Sequence, residues 1–231
     1  MVTNQGWIVY RSITFSPHIA KLFEYVLLEC FGDQLSSDEL QFGFKKNSGC
    51  CHALFTFRQT TKYFTKKGSK VYCASVDATK AFDKVLHNGL LVKLLNKNVS
   101  PTFVRLLENW YFKLHASVFW NGVISPTFDV HCGVRQGEIL SPLLFAIYID
   151  DWLCDLRMSG YGLHIGTLFV GAIAYADDTC ILSCSCYGLQ KMLDICSAYG
   201  IEWDIRFNPT KSQLMTVGGN APVNNAMHLS S

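Results

Sequence analysis

Long apolar runs are missing from this chain. The two longest, residues 143–149 and 168–176, fall well short of the ~20 residues that a membrane-spanning helix needs, so no membrane partner is expected. No secretory leader is expected from the residues, and no C-x-x-C pair occurs, although ten cysteines are scattered between Cys30 and Cys196. Cys180, Cys184 and Cys186 lack the second half of a zinc site. Without a secretory context disulfides are not expected, and an intracellular, reducing compartment is the default. The cysteines then read as small buried apolar residues. Charge is scarce as well: charged residues are 16% of the chain against 49% hydrophobic, and the net charge is +2. That balance excludes a disordered chain and is too weak to identify a partner by itself. No repeat or low-complexity linker appears. At 231 residues the chain is one large domain or two small intimate ones, long enough to bury a real core.

Acidic residues are absent from one whole stretch. Between Lys45 and Lys70 stand seven basic residues (Lys45, Lys46, Arg58, Lys62, Lys66, Lys67 and Lys70) and no Asp or Glu. Phe44, Phe55, Phe57, Tyr63 and Phe64 are interleaved with them. The pattern suits a phosphate backbone, and it equally suits a solvated helix face over an aromatic core side.

Where acids do occur, one pair stands out. Asp177 and Asp178 sit inside residues 172–182, an otherwise apolar run that reads as two short strands with Ala176-Asp177 near the tip of their hairpin. Burying two like charges is unfavourable unless a cation lies between them. A solvated acidic turn and a metal site are both open at this point.

In chain order, Pro17 opens a helix to about Leu35, and 41–50 is a loop with two glycines and two lysines. A helix follows from 50 to about 66, with Gly68 as its stop. Residues 71–77 alternate like a central strand ending in Asp77, well placed to offer an oxygen to a metal. Helices are expected at 86–96 and from Pro101. A hairpin is expected with strands 118–120 and 127–130 around Asn121-Gly122. Ser141 as N-cap and Pro142 at the first helical position launch a helix at about 143–156. A helix over 189–200, a turn at 208–212 and a strand at 213–217 complete the chain. This order resembles the split βαβ plan, an antiparallel sheet with helices on one face.

With Asp77, the Gln136-Gly137 loop and Tyr175-Ala176-Asp177-Asp178 in this order, the chain resembles the reverse transcriptase domain of LINE-type (non-LTR) retrotransposons from about Tyr10 to Gly218. "VDATKAFDKVLH" is similar to the family's first palm motif, "GVRQGEILSPLLF" to its loop-helix motif and "YADD" to its hairpin signature. "FNPTKS" resembles the lysine-bearing motif that follows, and "YRSIT" and "QFGFKKNSGC" resemble fingers motifs.

The resemblance implies an α+β fold, the fingers and palm of a right-hand polymerase, with fingers at 1–70, palm at 71–218 and a loose tail at 219–231. It implies RNA-directed DNA synthesis, with an RNA template, a DNA primer and deoxynucleoside triphosphates as partners and two Mg²⁺ ions, or Mn²⁺ in their place, as cofactors. Asp77 and Asp177 would bridge the metals with Asp178 assisting, and the Ala78 carbonyl would add a ligand. Phe82 matches the family's steric gate against a ribose 2′-hydroxyl; a core Phe is the alternative. Gln136 and Gly137 match the nucleotide and template pocket, and Tyr175 the flank of the primer end. Lys211 matches a lysine proposed to protonate pyrophosphate. Arg11, Lys45 and Lys46 are candidates for triphosphate or template contacts. Two departures accompany the match. Glu138 stands where the family usually has a small residue, so it either repels the triphosphate or pairs with Arg135. The thumb and endonuclease regions of a parent polyprotein have no counterpart in the sequence, so a fragment is expected, and a catalytically dead remnant that only binds nucleic acid is the alternative to an active core.

Overall fold

The computed structural model describes residues 13–218; Arg11 and the tail 219–231 lie outside the described residues. Pro17 precedes α1 (His18–Phe31), which contains no glycine or proline and gives way to a single 3₁₀ turn at Gly32–Gln34. α2 (Cys50–Lys66) stops where Gly68 takes a positive φ of 81°. β1 (Val71–Thr79) follows and runs two residues past the strand expected from the sequence. α3 (Ala81–Lys84), α4 (His87–Asn96) and α5 (Pro101–Phe112) come next.

β2 (His115–Ala116), β3 (Phe119–Trp120), β4 (Val123–Ile124) and β5 (Phe128–Asp129) form one nested hairpin, β3 pairing with β4 and β2 with β5. Asn121 and Gly122 both have positive φ, 49° and 80°, the pattern of a type I′ turn. Such a turn spends only two residues, so the return strand starts at Val123 and not at 127 as the sequence pattern indicated.

The helix expected over 143–156 is two, α6 (Ser141–Tyr148) and α7 (Asp150–Met158), broken at Ile149. Just past the break, the buried Asp150 carboxylate accepts from the Asp38 N–H and pairs with Lys97, which fixes the new direction. Ser141 lies inside the first turn of α6 and makes no capping hydrogen bond, because Leu140 occupies the N-cap position. β6 (His164–Ile165) and β7 (Leu168–Phe169) add a small hairpin. β8 (Ala172–Tyr175), β9 (Asp178–Ser183) and α8 (Cys186–Trp203) follow, the helix capped by the Ser185 hydroxyl, which accepts the Gly188 N–H at 3.0 Å. β10 (Arg206–Phe207) and β11 (Gln213–Val217) end the described chain.

β1 is the middle of the main sheet. β9 flanks it on one side with β8 beyond, β10 and β11 pair with it on the other, and all pairs are antiparallel. Alternation along β1 sorts its side chains between two cores. Ala74 and Val76 face the main one, with Ala172, Ala174 and Ile181, against Leu189, Met192 and Cys196 of α8 and Trp152 and Leu153 of α7. Val71 and Cys73 face the other way and pack with Ile173 and Leu182 beneath Ala53, Phe57 and Phe64 of α2. The palm-type helices thus lie on one face, while α2, from the segment before the sheet, shelters part of the other. On that second face Ser75, Tyr175 and Asp178 stay exposed, so its far end is open.

A buried lysine ties three helices behind the sheet. Lys93 of α4 is 1% exposed; its ammonium donates to Asp151 Oδ2 of α7 at 2.8 Å and to the Tyr199 hydroxyl of α8 at 2.7 Å. It also lies 3.7 Å above the Trp203 ring. Burial lowers its pKa, and the hydrogen bond to Asp151 opposes that shift. Removing it takes away the donor to the Tyr199 hydroxyl, which still donates to the Tyr148 carbonyl at 2.8 Å, and leaves a cavity among aromatic rings. Lys93→Ala should lower the unfolding free energy by about 2–3 kcal/mol, chiefly through the cavity, read from the urea midpoint at unchanged slope.

Candidate active site

Tyr175, Asp178 and Asp77 stand in a row across β8, β9 and β1, because Asp178 is the register partner of both other residues. Opposed residues of an antiparallel pair project to the same face, so both carboxylates share the open end of the second face. The two remaining residues of the hairpin, Ala176 and Asp177, form its turn. Asp177, half-buried at this tip, lies next to the row.

The Asp77 backbone places the lysine motif. Its carbonyl accepts the Asn208 N–H at 2.8 Å, and its N–H donates to the Ser212 hydroxyl at 3.2 Å. That lacing sets Lys211 Nζ 4.0 Å from Asp77 Oδ2, outside hydrogen-bond reach. Oδ2 itself is buried and accepts no hydrogen bond. A carboxylate oxygen withdrawn from water beside a second acid is costly unless a cation reaches it.

The donor set is all hard oxygen, the set that suits Mg²⁺ or Mn²⁺. Among the described residues no three acidic, His or Cys side chains converge into a ready-made cage. Mg²⁺ does not need one, since it is held by one or two carboxylates with waters and substrate phosphates filling its shell. Two acids on one face, with a third on the adjoining turn, fit that requirement.

The turn is held by a residue that the sequence reading passed over. Gln41 is fully buried, 0% exposed. Its Oε1 accepts the Ala176 N–H at 2.9 Å and the Gly43 N–H at 2.8 Å, and its Nε2 donates to the Ala176 carbonyl at 3.1 Å. Ala176 has φ 59°, the left-handed region that glycine or asparagine prefers, and Gln41 satisfies both of its backbone groups there. Gly43 is required beside it, since a Cβ at that position would meet the Ala176 nitrogen at 2.5 Å. The same segment extends the sheet: the Phe42 N–H donates to the Ala174 carbonyl and the Ala174 N–H to the Leu40 carbonyl, both at 2.8 Å. The local signal was a lone glutamine two residues before a glycine in a lysine-rich loop, where the lysines drew the attention.

The remaining candidates are dispersed around this end. Ala78 is half-buried and pairs with Phe207. The Phe82 ring stacks on Phe145 at 4.2 Å and meets the edge of Phe44 at 6.1 Å, so its position is fixed. Gln136 donates to Asp83 Oδ1 at 3.2 Å, and Gly137, exposed, has φ 104°. Glu138 turns inward: its side chain is buried, with Arg135 Nη1 3.8 Å from one oxygen. Of the two alternatives for Glu138, this geometry is the pairing one. The Lys45 ammonium donates to the Asp38 carbonyl, and burial lowers its pKa. Lys46 is exposed.

The family model described as "Reverse transcriptase (RNA-dependent DNA polymerase)" matches residues 8–227. The chain belongs to the reverse transcriptase family. Among its relatives is a probable RNA-directed DNA polymerase from transposon X-element of Drosophila melanogaster, 31% identical over 88% of this chain and 23% of that protein. Others are the Pol polyprotein of type-2 retrotransposable element R2DM of D. melanogaster, 28% identical over 80% and 17%, and the RNA-directed DNA polymerase from mobile element jockey of Drosophila funebris, 27% identical over 90% and 23%. Within the family this is therefore a LINE-type domain. The chain spans about a quarter or less of the length of these curated relatives. Two Candida tropicalis telomerase structures share its fold, one truncated from the C-terminal domain (TM-score 0.58, 15% identity, 89% of this chain and 40% of that one) and one with a telomeric RNA fragment (0.60, 13%, 84% and 33%). Their right-hand polymerase fold is the α+β fingers-and-palm architecture that the motifs implied.

In this reverse transcriptase domain Gln41→Ala would orphan two buried amides and a carbonyl at the tip that carries Asp177. It should lower the unfolding free energy by about 2–3 kcal/mol. Gln41→Glu, which loses the donor to Ala176 and adds a charge, should not restore stability in the same denaturant titration.

Proposed function

We propose that this chain is the fingers-and-palm core of an RNA-directed DNA polymerase that joins a deoxynucleotide to a primer 3′-hydroxyl on an RNA template. The observation that carries the reading is the row Tyr175–Asp178–Asp77, with a carboxylate oxygen of Asp77 that accepts no hydrogen bond and Asp177 at its edge. Asp77 and Asp177 would hold the metals, with Asp178 and the Ala78 carbonyl as further oxygens. Two Mg²⁺ ions, when bound, activate the 3′-hydroxyl and stabilise charge on the departing pyrophosphate. Lys211, 4.0 Å from Asp77, is in reach of the same space and would give its proton to that leaving group. Phe82, fixed between Phe44 and Phe145, would stand under the sugar and exclude a ribose 2′-hydroxyl. Gln136 and Gly137 would line the nucleotide pocket, and Tyr175 would pack beside the primer end.

The test is extension of a DNA primer on an RNA template. Extension should require Mg²⁺, and Asp177→Asn should fall below about one hundredth of the parent rate. A folded protein that extends nothing at high concentration, or an Asp177→Asn variant that keeps its rate, would sink the reading.

Nucleic-acid binding without catalysis is the second reading, and one surface favours it. On α2, Phe55, Arg58, Lys62 and Lys66 share an outer face at helical spacing, all exposed, and among the described residues none of the three cations pairs with an acid. Lys67 differs, since it donates to the Tyr63 hydroxyl at 2.6 Å. α2 starts just after the loop that touches the catalytic turn and runs about 25 Å from end to end. Replacing Lys62 and Lys66 together by Ala should weaken RNA binding and flatten log Kd against log salt by about 1.5. An unchanged slope would remove α2 from the path of the strand.

A further inference from the structure

Glu24 sits in the middle of α1, belongs to none of the motifs above and is 3% exposed. Its Oε2 accepts the Ile139 N–H at 2.6 Å, across 115 residues of sequence. Ile139 lies just beyond the Gln136-Gly137 loop. The loop's other end is tied to α3 and the residue that follows it, the Val134 N–H donating to the Phe82 carbonyl and the Gly133 N–H to the Val85 carbonyl, both at 2.8 Å. Between these ties the Thr14 N–H donates to the Gln136 carbonyl at 3.0 Å. Glu24 is therefore the side-chain anchor on the loop's far side.

Glu24 does not act alone there. Glu138 lies against it, 4% exposed, and neither Glu138 oxygen accepts a hydrogen bond from a fixed donor. Arg135, 3.8 Å from Glu138 and 5.2 Å above the Trp110 ring, is the cation facing the pair, and the buried Tyr111 of α5 faces it as well. Two carboxyls against one guanidinium balance only when one carboxyl keeps its proton. A proton on Glu24 also supplies the donor that Glu138 lacks.

We propose that Glu24 is the positioning residue of the loop bearing Gln136 and Gly137, holding it through the Ile139 amide and Glu138 so that an incoming nucleotide meets a fixed pocket. The proposal rests on the reading of Gln136 and Gly137 as that pocket. It carries a pH dependence. Burial, reinforced by the neighbouring Glu138 charge, pushes the Glu24 carboxyl up to about 7, against the Ile139 N–H and Arg135. Its folded pKa is raised, so the stabilisation is full at acidic pH and is lost as pH rises through about 7. Above that pH two carboxylates face one cation and the hold loosens. Tyr111 stays neutral throughout, its pKa raised by burial.

Hydrogen exchange across residues 133–140 in the full chain tests this without requiring turnover. Corrected for intrinsic exchange, protection should fall about tenfold between about pH 6 and pH 8. Glu24→Gln, which keeps an acceptor for Ile139 and a donor for Glu138, should keep its protection at both pH values. Glu24→Ala should lose it at both, and its Kd for a deoxynucleoside triphosphate with Mg²⁺ should rise about tenfold, with Gln136→Ala as the comparison. Unchanged protection in Glu24→Ala, with a melting curve showing it folded, overturns the role. So does an unchanged affinity in Glu24→Ala when Gln136→Ala weakens binding. If neither variant moves the affinity, the pocket reading itself falls and the proposal goes with it.

Discussion

The pairing of β9 with β1 decides which face Asp178 occupies, and packing enforces it. Ala74 opposite Ile181 fills the core under α8, while Cys73 opposite Leu182 fills the smaller core under α2. A slip by one residue would exchange the two sets and expose or crowd both cores at once. The register is thus specified from two sides by apolar volume. Asp77 and Asp178 belong to the same ladder and inherit that precision, although neither contributes to the packing. The acidic end of the sheet is positioned by residues that lie away from it.

Polar groups complete what the ladder begins. The hairpin tip and the loop at 133–140 are irregular backbone, and their amides cannot be satisfied by a strand. Gln41 and Glu24 reach them from segments that precede the sheet, each accepting from a distant backbone N–H while itself almost fully buried. Such contacts are weak in net terms when made and expensive when one partner is removed. Their effect is to join the segment before β1 to these two irregular pieces of backbone. A fingers region that only touched the palm through apolar surface would leave tip and loop free to choose among conformations.

Much of this was legible in the residues. The ends of α2, the start of β1 and the acidic hairpin follow from a glycine stop, alternation and strand propensity, and the order of motifs is what carried the family resemblance. The break between α6 and α7 was not, because no breaker residue in 143–156 marks it and the contacts of Asp150 just past it are with the distant Asp38 and Lys97. The late return strand assigned to the β3–β4 hairpin reflects reading strand propensity before turn length. Gln41 was invisible for a different reason. A buried amide announces itself only through the groups it meets, and two of the three here lie 135 residues away. Glu138 was visible, but its direction was not, since inward and outward carboxylates have the same sequence.

One oxygen of Asp77 accepts no hydrogen bond and has only the Lys211 ammonium, 4.0 Å away, beside it. Natural sequences break local consistency of this kind mainly where function requires it. Anything that supplies cations there only when the chain is folded adds stability in proportion to its occupancy. The two-sided packing of β1 and β9 keeps Asp77 and Asp178 side by side without help from any such cation.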